Sequence, residues 1–445
     1  MASEGDSRIK VAIRVRRLNI KEEARNKSVQ WKLSENKLWQ IDPRTKQKVS
    51  QVYTFDYVFG MSAQSKEIYE ALAEPIIESC LQGFNGTIFA YGQTSSGKTY
   101  TMMGEKDEEG IIPMSVNHIF KVVESIPTRE FLIRVAYMEI YNEQIHDLLE
   151  PKNSNLKIHE DSSGQAYVTL KEEIADTPEK VIAVMKKGEK MRRFGVTDIN
   201  ERSSRSHTIF RIVIESRKKQ MNDSFEEFTW DDSVQISVLN LVDLAGSERV
   251  MQTKATGDRF KEGCAINKSL FYLGNVISQL SEGSGQYVNF RDSKLTRILR
   301  TSLGGNAHTA IICTITPASV EETISTLSFA SRAICIKNEP HVNEIISNES
   351  LMRGHAAIVK KLEMELEKAR KEIDSSSMKR ELEQKEKIIS RLKGWIQRDK
   401  VQVNSPQNIS RSQRRKTWAA SDFKRMANCF RVNDQSSIPE DPKEN

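Results

Sequence analysis

The chain has 445 residues, 38% of them hydrophobic and 29% charged, enough for one large domain or two ordinary ones. Its 67 Lys and Arg against 61 Asp and Glu leave a net charge of +6, too mild to imply nucleic acid through bulk charge. Five scattered cysteines (Cys80, Cys264, Cys313, Cys335 and Cys429), a polar acidic start and no apolar run near ~18 residues argue against a disulfide framework, a signal peptide and a membrane span, so a reduced, soluble, intracellular protein with no nucleic-acid or membrane partner is expected.

Residues 1–7 read as a disordered start. From residue 8 to about 338, strand-like and helix-like segments alternate, which argues for an α/β domain with a central sheet covered on both faces. Residues 10–15 read as a strand, 66–82 as a helix and 87–91 as a buried β-branched and aromatic strand. Directly after that strand, residues 92–99 spell Gly-Gln-Thr-Ser-Ser-Gly-Lys-Thr, the full G-x-x-x-x-G-K-[ST] phosphate loop. Gly92 and Gly97 permit the turn and a close approach of backbone N–H groups to phosphate. Lys98 can reach the β and γ phosphates, and the Thr99 hydroxyl can ligate Mg²⁺. A helix opens at Lys98, and further helical patterns cover 113–124, 177–193, 266–281 and 320–337. Strands are expected at 131–137, 235–242 and 309–315. Residues 216–233 are polar and acidic and read as a surface hairpin or loop insertion.

Two further segments carry chemistry. Asp243-Leu244-Ala245-Gly246-Ser247-Glu248 follows an apolar strand, which places Asp243 at a carboxyl end where a phosphate-loop enzyme contacts Mg²⁺. Gly246 can present its N–H to the γ-phosphate. A strand-ending D-x-x-G turn is the plainer alternative. Asn200-Glu201-Arg202-Ser203-Ser204-Arg205-Ser206-His207 clusters hydroxyls with an arginine, which suits a loop gripping phosphate, metal and water, or an ordinary polar loop ending in a cap. An Arg–Glu pair between this loop and Glu248 would close the site. No Asn-Lys-x-Asp guanine reader occurs, and no metal-ligand histidine cluster is visible among the seven His. His207 reads as a packed or capping residue.

Past Pro340 the pattern breaks. Residues 351–398 turn Lys/Glu/Leu-rich, with Val359, Leu362, Leu366, Ala369 and Ile373 on a heptad seam that 374–377 interrupts. A short coiled coil and a single amphipathic helix both fit. Residues 401–445 read as a disordered basic tail segment, in which Thr417 follows Arg414-Arg415-Lys416 and offers a kinase site, a phosphatase-docking peptide or a plain basic patch.

The three site segments, in this order, resemble the kinesin motor superfamily. Tyr137-Met138-Glu139-Ile140-Tyr141-Asn142-Glu143, Ile266-Asn267-Lys268-Ser269-Leu270, Arg291-Asp292-Ser293-Lys294-Leu295-Thr296-Arg297 and Ser302-Leu303-Gly304-Gly305-Asn306 extend the match over about residues 8–345. Residues 129–149 and Arg414–Trp418 look most like the centromere-associated (CENP-E type) kinesins. The resemblance implies an α/β phosphate-loop NTPase: a motor domain at 8–334 with a central mixed sheet flanked by helices, a neck linker at 335–349 and a neck helix or short coiled coil at 350–400. It implies ATP and Mg²⁺ as cofactors. Nucleotide contacts would come from Gly92, Gln93, Thr94, Ser95, Ser96, Gly97, Lys98, Thr99 and Tyr100, with Arg14, Arg16, Arg17 and Tyr91 on the adenine side. Thr99, Ser206 and Asp243 would hold Mg²⁺. Lys98, Ser203, Arg205, Asp243, Gly246 and Glu248 would carry catalysis, Ser203 near the attacking water and Glu248 ending a proton relay.

Two departures stand out. Arg17 replaces the proline usual after Arg-x-Arg, so an arginine can stack on the base while the loop loses φ restraint. Ile334 stands where a lysine is common. The resemblance also implies a microtubule face containing Lys254, Lys261, Lys268, Arg291, Lys294 and Arg297, homodimerisation through 350–400, and plus-end-directed motion. Residence in the cytoplasm and cytoskeleton, with spindle microtubules and kinetochores in mitosis, follows. A nucleotide-tuned microtubule tether is the alternative in another class, and a signalling switch is disfavoured by the missing guanine motif.

Overall fold

Alternation along the strands decides which helices cover which face. The structure, a computed structural model, describes residues 7–105, 107–160, 166–194, 204–218, 233–248, 258–283, 288–346 and the single positions 363, 364, 367 and 390. Ten strands form the main sheet: β1 (Lys10–Val15), β2 (Tyr57–Phe59), β3 (Gly86–Tyr91), β4 (Arg129–Tyr141), β5 (Gln144–Asp147), β6 (Glu173–Ala175), β7 (His207–Lys218), β8 (Ser233–Asp243), β9 (His308–Ile315) and β10 (Glu344–Ile346). The path across it runs β5-β4-β7-β8-β3-β9-β1-β2, with β6 on β4 and β10 on β8. Strands from β8 to β2 pair in parallel and those from β5 to β8 antiparallel, so the sheet is mixed.

Ala12, Ile88, Ala90, Leu239, Leu241, Ala310 and Ile312 point to one face. There they meet α1 (Ser65–Ile68), α2 (Glu74–Leu81), α3 (Lys98–Met103), α4 (Ile111–Ser125) and α5 (Pro178–Phe194). Val11, Ile13, Phe89, Tyr91, Val242, Ile311 and Cys313 point to the other face and meet α6 (Asp258–Glu282), α7 (Lys294–Ile298) and α8 (Glu321–Ala333). Neighbours in sequence thus feed opposite cores, as the period of two requires. All six residues of β3 are buried, as a central strand covered on both faces must be.

A π-helical turn, Tyr69–Ala73, joins α1 to α2. Pro75 has no N–H for the carbonyl four residues back, which favours the wider turn at this point. Boundaries differ from the sequence reading where polarity hides the element. Helix α6 begins at Asp258 rather than 266, because its first two turns carry no apolar stripe. The expected loop at 216–233 is strand at both ends: Ser216 and Lys218 face Phe131 and Arg129, and Ser233 faces Ile346. The middle, 219–232, lies outside the described residues.

The chain divides into two units, Met1–Asp223 with Asp231–Ser347 and Ser224–Trp230 with Asn348–Asn445. In the second, Glu363, Met364, Glu367 and Ser390 are helical. The rest of the expected neck helix, the 401–445 segment with Thr417 and residues 1–6 lie outside the described residues. Cys80 and Cys313 are buried free thiols and Cys335 an exposed one. Among the described residues no helix is long and apolar enough to cross a membrane.

Residues 336–346 lie extended against the first unit. Ile9 N–H bonds the Ile336 carbonyl at 3.0 Å and Asn338 N–H the Ser7 carbonyl at 2.9 Å. Glu339 donates to Gly305 and Asn343 to Gly83, each at 3.0 Å, before β10 pairs with β8. Asn338 is 2% exposed.

Candidate functional site

The carboxyl ends of β3, β8, β9 and β1 converge with the start of β7, the edge where open α/β sheets bind ligands. Between β3 and α3 the backbone takes positive φ at Gly92 (149°), Ser95 (62°) and Gly97 (106°). A Cβ on Gly92 would sit 2.2 Å from the Thr314 carbonyl oxygen, so no side chain fits there. Ser96 Oγ bonds Thr314 Oγ1 at 2.6 Å and ties the loop to β9. The first N–H groups of α3 lack intrahelical partners and open onto this turn.

Lys98 is 7% exposed, and its ammonium donates to the Gly92 and Gln93 carbonyls at 2.9 Å each. Burial pulls its pKa down, and the charges of Asp243 and Glu248 oppose that pull. Thr99 Oγ1 donates to Asp243 Oδ2 at 2.6 Å. Asp243 Oδ1 is buried with no hydrogen-bond partner, an orphaned acceptor beside a hydroxyl. Burial raises the Asp243 pKa against the lowering effect of Arg192, Lys98 and the Thr99 bond. An ammonium, a hydroxyl and an unsatisfied carboxylate oxygen around a glycine turn fit a phosphate bearing a hard cation.

Three segments are stitched together at this point. Gly246 N–H donates to the Ser204 carbonyl at 2.8 Å and Ser247 N–H to the Gly92 carbonyl at 3.1 Å. Thr94 N–H donates to Glu248 Oε2 at 2.7 Å, and the Thr94 hydroxyl bonds Glu248 Oε1. Arg205 is half-buried in the turn that leads into Ser206; Ser203 lies outside the described residues. Ser206 is fully buried and accepts from Arg192 Nη2 at 3.1 Å. Arg192 also sits 3.7 Å from the buried Glu139, a partner that no spacing in the sequence announces, and 3.6 Å from Glu189 one turn back on α5.

The adenine-side set divides. Arg14 Nη1 donates to Ser65 Oγ at 3.1 Å and Thr101 Oγ1 at 2.9 Å, and its guanidinium lies 5.1 Å from the Tyr100 ring. Glu108 joins them, accepting from Ser65 N–H at 2.5 Å and Tyr100 Oη at 2.7 Å. Burial raises the Glu108 pKa, but the bonds from Ser65 and Tyr100 and the Arg14 charge outweigh it and hold the carboxyl at about 2. Arg16 donates to the Ser95 carbonyl at 2.7 Å and grips both oxygens of Glu22. Arg17 is exposed and donates to the Met61 carbonyl at 3.1 Å, so side-chain bonds restrain the loop where a proline ring is missing. Tyr91 turns inward: its ring stacks on Phe329 at 3.7 Å in the core and is 7% exposed. Ile334 likewise packs against the core.

His207 is a packed residue with a linking task. Its Nδ1 accepts from Ala245 N–H at 3.0 Å, which leaves the proton on Nε2 to bond Ser269 Oγ at 2.7 Å. Burial, then Lys98 and Arg192, push its pKa from 6.5 down to about 3. Between those values the unfolded chain binds a proton that the fold refuses, so stability falls as pH falls through that window. The expected loss from this residue is about 2 kcal/mol between roughly pH 7 and pH 5. His207→Gln should flatten that part of a denaturation–pH profile, and an unchanged slope would contradict the assignment.

Two members of the basic set share one acid. Arg291 Nη2 and Arg297 Nη2 meet the two oxygens of Glu160 at 3.0 and 2.9 Å. Lys294 Nζ reaches Asn155 Oδ1 at 3.4 Å, and its backbone N–H donates to Glu143 at 2.8 Å. Lys268 is exposed on α6 with its ammonium 5.9 Å from the Tyr272 ring. Lys261 lies on α6, but its side chain, like all of Lys254, falls outside the described residues.

Comparison with known proteins agrees with this geometry. The kinesin motor domain family model matches residues 14–336. Human centromere-associated protein E is 46% identical over 462 residues, covering 99% of this chain and 16% of that protein. Rice kinesin-like protein KIN-7I is 43% identical over 98% of this chain and 38% of its own length. The chain thus spans well under half of these relatives. Among solved structures, a fast kinesin superposes with TM-score 0.69 at 39% identity, covering 77% of this chain and 95% of that one. A KIF14 dimer with AMP-PNP, in complex with a microtubule, gives TM-score 0.69 at 36% identity over 77% of this chain and 98% of its own. With the family pattern covering the phosphate loop, both closing segments and the main sheet from Arg14 to Ile336, the chain belongs to the kinesin motor domain family.

Proposed function

We propose that this chain is the ATP-hydrolysing, microtubule-stimulated motor part of a longer protein, moving toward microtubule plus ends and serving chromosome movement at kinetochores. The observation that carries the reading is the joining of three segments at one point: Thr94 to Glu248, Ser247 to Gly92 and Gly246 to Ser204. A binding surface has no need of that closure, while phosphoryl transfer depends on positioning of this kind. Mg²⁺·ATP, when bound, supplies the scissile phosphoanhydride and a divalent charge beside its terminal phosphate.

The protein's own groups divide the work. Lys98 leaves the Gly92 and Gln93 carbonyls and neutralises phosphate charge. Thr99, Asp243 and Ser206 would hold the cation, directly or through water. Gly246 presents its N–H, Ser203 orients the attacking water, and Glu248, paired with Arg205, takes up the proton through water. Arg14, Arg16, Arg17 and Tyr100 border the base. Lys254, Lys261, Lys268, Arg291, Lys294 and Arg297 face the acidic microtubule surface, an attraction that salt weakens. Residues 335–349 act as a neck linker that docks and releases, a reading that the pairing of Glu344–Ile346 with β8 supports. The segment 350–400 joins two heads, and Thr417 offers a kinase site.

The likeness to centromere-associated protein E supports the mitotic role, and the microtubule-bound KIF14 dimer supports the partner and the two-headed state. Surface-bound protein should glide polarity-marked microtubules with their minus ends leading. Microtubules that are captured but stationary in ATP would replace the motor with a nucleotide-tuned tether, and plus-end-leading gliding would reverse the direction.

A further inference from the structure

Away from the nucleotide site, Glu74 and Glu78 stand one turn apart on α2 and face His118 on α4. One ligand atom from each lies within 4.8 Å of the others. His118 Nδ1 to Glu74 Oε1 is 3.4 Å, about the ~3.3 Å edge of a tetrahedron with zinc-length bonds of roughly 2.0–2.1 Å. Among the described residues no lysine or arginine pairs with either carboxylate, so two like charges at i, i+4 stay uncompensated.

A second observation points into the same place. Tyr69 is 6% exposed, and its hydroxyl has no hydrogen-bond partner. Its ring lies 6.2 Å from the His118 ring, and burial first, then the charges of Glu74 and Glu78, push the pKa of its hydroxyl up. The π turn that begins at Tyr69 leads directly into α2, and such turns often mark functional positions.

We propose that Glu74, Glu78 and His118 form a site for a zinc-type divalent transition metal that clamps α2 to α4. One imidazole nitrogen and two carboxylate oxygens leave a fourth position for water. Tyr69 would bond that water or a ligating carboxylate as an outer partner. Mixed nitrogen and oxygen ligation suits zinc and its neighbours and disfavours Mg²⁺, which prefers oxygen alone.

The test uses the whole chain with excess Mg·ADP, titrated calorimetrically with Zn²⁺ and followed spectroscopically with Co²⁺. One Zn²⁺ per chain, a melting midpoint raised by metal and the visible absorption of four-coordinate Co²⁺ are expected. His118→Gln should abolish all three, and Glu78→Gln, at an exposed position, should weaken binding at least about tenfold. Tyr69→Phe should weaken it less. No stoichiometric Zn²⁺ binding, or binding unchanged in His118→Gln and Glu78→Gln, would overturn the site.

Discussion

Lys98→Ala should lower ATP turnover about a thousandfold or more, some 4 kcal/mol in the barrier, while the protein stays folded. The reason lies in where the ammonium sits. It is buried in the turn, bonded to two loop carbonyls and under the charges of Asp243 and Glu248 from one neighbouring segment. Burial pulls its pKa down against the charges of Asp243 and Glu248, and its two bonds to loop carbonyls hold the side chain at the turn. Alanine leaves negative charge developing on phosphate without that partner. Lys98→Arg should not rescue, because a planar guanidinium presents a different fork of donors from a compact ammonium. Steady-state phosphate release, with a thermal melt as the folding control, decides the matter. Turnover within about tenfold of the parent would remove Lys98 from the mechanism.

Asn338→Ala should cost about 2–4 kcal/mol and lower the melting midpoint by several degrees. The Asn338 side chain accepts from Gly304 N–H at 2.7 Å and donates to the carbonyls of Ser302 and Ala307 at 3.1 and 2.7 Å and to Thr309 Oγ1 at 3.1 Å. Truncation leaves those buried groups unpaired, which costs more than the bonds themselves contribute. The effect should be directional along the chain. Backbone bonds from Glu339 and Asn343 and the pairing of β10 follow Asn338, so amide exchange over 339–346 should speed up more than in β3 or β9. Asn338→Asp should be worse, since it removes the donor and sets a charge among acceptors. A uniform rise in exchange across the sheet would mean global destabilisation instead, and the idea that Asn338 specifically fastens this segment would fail.

What could be read from the amino-acid order was what repeats or recurs locally. The strand at 87–91, the loop at 92–99 and the helix from Lys98 are one contiguous stretch whose chemistry does not depend on distant partners. Strands β1, β3 and β9 were legible as near-continuous apolar runs because each buries both faces. Partnerships between distant side chains were not legible. Glu108 meets Arg14 and Ser65, Glu160 gathers Arg291 and Arg297, and Asn338 fastens the loop at 302–307, each joined only by folding. Tyr91, expected on the adenine side from the resemblance, has its ring sent by strand alternation into the core beside Phe329. The Glu74, Glu78 and His118 grouping was invisible for the same reason, since one of its members comes from another helix.

The most direct measurement is ATP turnover of this chain against increasing microtubule concentration, with Lys98→Ala as the blank and Glu248→Ala beside it. The account predicts low turnover alone, strong saturable stimulation by microtubules, and loss of stimulated turnover in Glu248→Ala with microtubule binding retained, because Glu248 holds the phosphate loop through Thr94. Turnover that ignores microtubules, or a Glu248→Ala protein stimulated as well as its parent, would contradict it.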